Sequence, residues 1–446
     1  MNYFYKTKIM KKNTFIIASL VALFLWSCGN NHEEAIEQPV PSPTSDKLPE
    51  TPEFKTETDP EFPVTRHSYK PVELDETQQA INAKLQDFSW KLFKKVYANR
   101  AKGSNLMISP ISLEIDLGMF INGLEGESLK EMMKTLELEE YSKNDINDYF
   151  KTILAGIEQA DEAAIFKSAN SFWYNYKKTA ATGFLTAIQD YYNATAVAVD
   201  FGDDKTKDII NSWCAAKTNN RITKMVDRTE PSELFHLMNA VYFKAQWQDQ
   251  FNKQATEKKP FYYADGKTED IDMMHEINDA LYAETDKFQL SLKSFVDHAF
   301  QMVFILPKTD VDLVESIPEV VNSKSLKQML RNVEVDLYAP KFTSEYLEQN
   351  LFQYMMEINP TLRFSSADMN FFEGPKEDVA LSAVQKTFFL MDEEGAEAAA
   401  VTDIMMKNTA IPMEKEKAVM RLDRPFFYAI LESNTYCPLF IGYYGR

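Results

Sequence analysis

Two histidines and one pair of adjacent carboxylates have the strongest claim to chemistry in this sequence. His236 and His275 lie in or beside apolar runs, and Glu393 is followed directly by Glu394. A histidine in such a place could be a general base or a metal ligand, and two carboxyls could divide the roles of acid and base. Neither arrangement is completed by its surroundings. Adjacent residues of an extended chain point to opposite faces, so Glu393 and Glu394 cannot flank one reacting bond. Each histidine is expected to be a satisfied core residue. No G-x-S-x-G, H-E-x-x-H, P-loop or G-x-G-x-x-G pattern occurs. Three cysteines and five histidines show no C-x-x-C or C…H spacing. No metal, no cofactor and no turnover chemistry are expected.

The carboxylate pair instead introduces an unusual stretch, "DEEGAEAAAVTDIMMKNTAIPMEKEK", from Asp392 to Lys417. Its Ala and Glu content favours helix. With a period of two, Ala396, Ala398, Ala400, Thr402, Ile404 and Met406 form one uncharged side. Glu397, Ala399, Val401, Asp403, Met405 and Lys407 form the other, which carries three charges. That alternation fits a strand with one buried face. The segment is therefore compatible with two conformations.

The elements that must position it occupy the chain from Thr77 onward. "TQQAINAKLQDFSWKLFKKVYANR" has apolar residues at three- and four-residue spacing, which predicts an amphipathic helix. Leu106 to Ile108 is a short buried strand, and Ser109-Pro110 is an N-cap followed by proline at the first helical position. Gly123 ends that helix, and further helices are expected over Glu127–Leu136 and Asp145–Ala160 and within "TGFLTAIQDYYN" and "DDKTKDIINSWCAAKTNN". "AIFKSANSFWYNYK" is a strand, and "ELFHLMNAVYFKAQW" is apolar on both faces, as a central strand requires. Short strands dominate from Pro260 to Ala339, and strands close the chain. Helices cluster early and strands late, an α+β pattern.

Before Thr77 the texture differs. Lys11-Lys12 precedes Thr14 to Leu25, an apolar run too short to span a bilayer. Leu25-Trp26-Ser27-Cys28 resembles a bacterial lipobox, with Met10 the natural start, so residues 1–27 are expected to be a signal peptide and Cys28 a lipidation site. Acyl chains there would anchor the protein to a membrane. Residues 28–76 hold eight prolines without periodicity and are expected to be a linker spanning about 40 Å. Net charge is −19, which repels phosphate backbones, so no nucleic acid is expected as partner.

Several segments carry a resemblance to one family. "EEGAEAAAVT" resembles the reactive-loop hinge of serpins, and "NAVYFKAQWQDQF" (Asn239–Phe251) resembles their central strand. "NLMISPIS" (Asn105–Ser112), "VALSAVQKTFFLMDEEG" (Val379–Gly395) and "DRPFFYAILESNTYCPLFIG" (Asp423–Gly442) match further serpin segments in order. The resemblance covers about 78–446. It implies a domain over 77–446, with helices packed around a large central mixed β-sheet and an exposed reactive loop over about 393–424. It also implies the activity. A serpin offers its loop as bait, and a serine protease, or in some cases a cysteine protease, attacks it and forms an acyl-enzyme. The cleaved loop then inserts into the sheet and deforms the trapped protease.

The hinge must then be small and uncharged on its buried face and free of proline. Ala396, Ala398, Ala400 and Thr402 meet those conditions, Gly395 can supply the backbone freedom for the turn, and Glu393, Glu397 and Ala399 complete the hinge. Family spacing from Glu393 puts the scissile bond at Thr409–Ala410, with Lys407–Asn408 as the alternative. The first suits elastase-like or subtilisin-like proteases and the second trypsin-like ones. Ser109, Ser112 and Asn239 match the cluster that latches the opening sheet, Gln385 stands where a histidine is usual, and Trp247 matches the tryptophan at the point of loop entry. The protein is expected to be a monomer in the bacterial cell envelope, lipid-anchored to the outer membrane and facing the periplasm or the exterior. The competing readings are a non-inhibitory serpin acting as chaperone or binding protein, and a surface lipoprotein that binds glycan or nutrient. The alanines of the hinge favour inhibition, because non-inhibitory members tend to place charged or bulky residues there.

Overall fold

A computed structural model describes residues 54–55, 69–101, 103–309, 311, 314, 323–377, 381, 383–396 and 415–445. Six helices come first, threaded by four strands. Helix α1 (Glu76–Asn99) opens on a capping box in which Asp75 accepts from the Gln78 N–H while the Gln78 side chain accepts from the Asp75 N–H. Its apolar stripe, Ile81, Leu85, Phe88, Leu92, Phe93 and Val96, is buried. Strand β1 (Leu106–Ile108) leads into α2 (Pro110–Asn122), which is buried nearly all round and ends at Gly123. Ser109 precedes α2 but does not cap it through its side chain; its hydroxyl donates to Leu439 O at 2.7 Å instead. Then come α3 (Gly126–Thr135), α4 (Lys143–Glu158), β2 (Ala164–Asn175), α5 (Thr182–Tyr192), β3 (Thr195–Val199), α6 (Thr206–Lys217) and β4 (Phe235–Gln246).

Strands dominate the remainder: β5 (Glu257–Tyr262), β6 (Thr268–Glu284), β7 (Phe288–Ser294) and β8 (Phe300–Pro307). After α7 (Ser323–Met329) come β9 (Arg331–Pro340), β10 (Phe342–Glu348) and α8 (Leu351–Ile358). The chain closes with β11 (Gln385–Met391), β12 (Gly395–Ala396), β13 (Lys417–Arg421), β14 (Phe426–Glu432) and β15 (Pro438–Tyr444). Not all strands between Pro260 and Ala339 are short. Strand β6 runs for 17 residues because it changes partners along its length, pairing β5, then β9, then β7.

Two sheets result. A six-stranded mixed sheet has the order β10-β11-β12-β4-β2-β3, in which β2 and β3 are parallel. A nine-stranded sheet runs β1-β15-β14-β8-β7-β6-β9-β13 with β5 beside β6. The sequence pattern does not reveal this second sheet as a unit, because its strands come from both ends of the chain. Helix α2 packs between β4 and β15, and one hydrophobic core joins it to both sheets.

The folded part also begins before Thr77, contrary to the expected linker boundary at residue 76. Val72 is 2% exposed, the Lys70 N–H donates to Ala160 O at 2.9 Å, and the Tyr69 hydroxyl donates to Glu432 at 2.6 Å. Further upstream, Phe54 meets Trp173 edge-on at 6.0 Å. Aromatic and β-branched residues in a proline-rich stretch gain apolar burial wherever the domain surface offers it.

Candidate functional site

The stretch that starts at Asp392 enters the six-stranded sheet within a few residues. Gly395 and Ala396 form β12, a two-residue strand between β11 and β4. Ala396 pairs with Met391 on one side and Ala245 on the other, and Gly395 pairs with Gln246. Both ladders are antiparallel, so β11 and β4 run parallel to each other and, among the described residues, are joined only through β12. The glycine is required here. Its φ is +153°, and a Cβ would lie 2.1 Å from Ala245 O and 2.7 Å from Gln246 Cα. Gly395→Val is therefore expected to expel β12 from the sheet and to cost roughly 2–4 kcal/mol in urea unfolding. A variant as stable as the parent would show that this seat does not hold the strand.

The two residues before the glycine are held by separate cations, in keeping with their opposite faces. Glu393 pairs with Lys341 at 2.8 Å and accepts from the Thr256 hydroxyl at 2.9 Å. Glu394 pairs with Lys253. Their carbonyls are fixed as well: the Phe251 N–H donates to Glu393 O and the Trp247 N–H to Glu394 O, each at 2.9 Å. The Trp247 indole N–H donates to Asp392 O at 2.9 Å, and its ring stacks on Phe295 with centroids 4.4 Å apart. Burial raises the pKa of Glu393, but Lys341, a backbone N–H and the Thr256 hydroxyl together outweigh it and leave the carboxyl below its ordinary range.

At the far end of β11 lies the second cluster. Gln385 and Ser109 exchange two hydrogen bonds: the Ser109 N–H donates to Gln385 Oε1 and Gln385 Nε2 donates to Ser109 O, both at 2.8 Å. The Thr387 hydroxyl donates to Met107 O at 2.8 Å. These bonds tie β11 to β1 and the start of α2. Asn239 belongs to a different group. Its amide donates to Ser168 Oγ at 2.8 Å and to Asn170 Oδ1, both on β2. Ser112 is buried on α2. The four residues thus flank the same region, with Ser109 and Gln385 directly bonded and Asn239 bonded toward β2.

A profile of the serpin family, described as serine protease inhibitors, matches residues 83–445. The chain is a serpin.

Similarity extends across almost the whole serpin domain. An uncharacterized serpin-like protein of Thermococcus kodakarensis is 26% identical over 97% of this chain and 98% of its own. The alpha-1-antiproteinase of Rattus norvegicus is 26% identical over 82% of this chain and 89% of its own. Among solved structures, the thermophilic serpin tengpin in its native state is 27% identical, with a TM-score of 0.73 over 86% of this chain and 97% of that one. The latent state of tengpin gives 0.68 at 26% identity, over 84% of this chain and 99% of that one.

The remaining candidates divide clearly. Glu397, Ala398, Ala399, Ala400, Lys407, Asn408, Thr409, Ala410 and Cys28 lie outside the described residues. His236 and His275 are satisfied but are not core residues. Each is partly exposed and faces a carboxylate, His236 with Glu233 at 3.2 Å and His275 with Asp336 at 2.7 Å. Both lie in stretches of β4 and β6 that are only partly covered, so apolar neighbours in sequence do not bury them. Among the described residues no cluster of His, Cys, Asp and Glu could hold a metal.

Sequence reasoning missed the partners of the hinge, Lys341, Lys253 and Thr256, which are remote in sequence. It also missed two carboxyls on α2 of this serpin. Glu114 is 2% exposed, and Asp116 has an Oδ1 with no hydrogen-bond partner among the described residues. Burial pushes both up to about 8, against a partial lowering by Ser89 for Glu114 and by the Asn239 N–H for Asp116. Their signal was legible: two acidic residues interrupt the otherwise apolar "ISLEIDLGMF".

Proposed function

We propose that this serpin is inhibitory: a target protease cleaves the loop beyond Ala396, and the released segment inserts between β11 and β4 and traps the acyl-enzyme. The observation that carries this reading is the register of β12. Ala396 sits opposite Met391 and Ala245. Continuing both ladders, each further residue moves one step back along β11 and β4. Ala398 then falls opposite Phe389 and Phe243, Ala400 opposite Thr387 and Val241, and Thr402 opposite Gln385 and Asn239. The insertable segment therefore ends at the residues of the sequence-matched latch. It spans 396–402, the same seven positions as β11. Ala396 is 1% exposed, so residues of its parity enter the buried face, and those are the small ones.

On this reading the scissile bond is Thr409–Ala410, with Lys407–Asn408 as the second usable bond. Glu397, Ala398, Ala399 and Ala400 complete the hinge. Targets are serine proteases with elastase-like, subtilisin-like or trypsin-like pockets. The chain from Phe54 onward, mixed with elastase, subtilisin and trypsin in turn, is expected to give an SDS-stable band at the summed mass. Mass spectrometry of the released C-terminal fragment then identifies the bond. Clean cleavage without such a band for all three proteases would overturn the inhibitory reading.

The same reading places the monomer at the bacterial envelope, tethered by lipid on Cys28. The lipobox and basic n-region support it. Cys28→Ala is expected to move the protein from the membrane fraction to the soluble one. Retention in the membrane fraction would refute the anchor.

A further inference from the structure

Behind the hinge lies a buried ion pair. Lys293 of β7 and Glu276 of β6 meet at 2.7 Å through both carboxylate oxygens, and their side chains are 7% and 10% exposed. The ammonium makes a further bond, donating to Asp249 O at 2.7 Å. It also lies 4.4 Å from the ring centroid of Phe251 and 5.4 Å from that of Trp247. One cation thus grips the segment 247–251 by a carbonyl and two aromatic faces. That segment supplies the main-chain N–H groups of Trp247 and Phe251 to the carbonyls of Glu394 and Glu393.

We propose that Lys293, fixed by Glu276, is a positioning residue for the loop hinge: it holds the turn after β4 in the one arrangement that presents two N–H donors to the chain entering the sheet. The physical reason lies in competition between insertion and hydrolysis. Once the loop is cleaved, the acyl-enzyme is either dragged away or hydrolysed. A pre-set entry saves the cost of ordering the turn, so insertion is faster. Buried ion pairs contribute little net stability against an apolar isostere, and geometric definition is a better account of this one. The pair lines a cleft of about 260 Å³ together with Asp249, Asn278 and His298. Water in that cleft can solvate a charge left single, so substitution here tests the clamp and not the survival of the fold.

This inference rests on the inhibitory reading for its consequence but not for its structural content, and the test separates the two. In Lys293→Met, hydrogen exchange at the Trp247 and Phe251 amides is expected to accelerate at least tenfold, with the amides of β8 and β14 unchanged. With elastase, the number of protein molecules consumed per protease arrested is expected to rise severalfold, while the rate of loop cleavage stays the same. The double variant Lys293→Met/Glu276→Met, an apolar pair with no grip on Asp249 O, is expected to melt near the parent and show the same two effects. Unchanged exchange at Trp247 and Phe251 in both variants overturns the clamp. If the parent arrests no protease, the inhibitory function fails, and the exchange data still decide whether Lys293 sets the turn.

Discussion

Cleavage within residues 397–414 is expected to raise the melting temperature of the domain by on the order of 10 °C or more. In the described structure β11 and β4 are bridged only by β12. Extending that strand to Thr402 pairs Leu390–Gln385 on one side and Lys244–Asn239 on the other. Those ladders add about a dozen main-chain hydrogen bonds, each contributing on the order of 1 kcal/mol net. Uncut, the segment is held by β12 before it and by β13 after it, so full entry is opposed by chain connectivity. On the inhibitory reading the intact form is kinetically trapped, and its apparent stability is a rate. Calorimetry before and after limited elastase treatment measures the difference. A cleaved form melting at or below the intact one would mean that the strand does not enter, however well the register fits.

The second large effect concerns Glu114. Its carboxyl is buried on α2, and burial holds its pKa up to about 8. Burial, not hydrogen bonding, is what keeps the acid neutral. Ser89 Oγ lies 2.8 Å from Leu85 O and also against Glu114 Oε1. Ser89 donates to the Glu114 carboxyl, which favours its ionised form and offsets the effect of burial only in part. Below about pH 4.5 the carboxyl is protonated in both folded and unfolded chains, so it costs nothing. Between about pH 4.5 and 8 the unfolded chain ionises while the folded one keeps its proton, so stability falls as pH rises. Above pH 8 the full cost applies, roughly 3–5 kcal/mol. Glu114→Gln is expected to remove that slope. It should gain little at pH 5 and several degrees in melting temperature at pH 8.5. Parallel pH profiles for parent and variant would show that the group is not held neutral. Asp116, also raised to about 8, adds a slope of the same sign that the Gln variant leaves in place.

These two effects differ in how far the sequence anticipates them. On the proposed function, the hinge pattern is legible because insertion would impose a rule on residue type. A face that must be buried between two strands cannot carry charge or bulk, and a period of two exposes that rule in Ala396, Ala398, Ala400 and Thr402. The helices were legible for a similar reason. The stripe from Ile81 to Val96 and the Ser109-Pro110 start are local signals, and local geometry obeys them.

What holds the hinge was not legible. Lys341, Lys253 and Thr256 reach Glu393 and Glu394 from 52 to 141 positions away along the chain. A surface lysine and a clamping lysine look alike until the fold brings a carboxylate to one of them. Lys293 is the sharpest case. In "FQLSLKSF" it occupies an alternating strand position that would suit a solvated side chain. The long β6 crosses to carry Glu276 against it, and the turn after β4 places Asp249 O and two aromatic rings around its ammonium. By itself the sequence determined which helical stripes are buried, where the helices lie, and which face of the loop segment is uncharged. Those follow from single-residue chemistry and short-range periodicity. Only the tertiary structure decided which charges meet, that β12 is already seated beside Ala245, and that its register leads to Gln385 and Asn239, because each depends on strands brought together from distant parts of the chain.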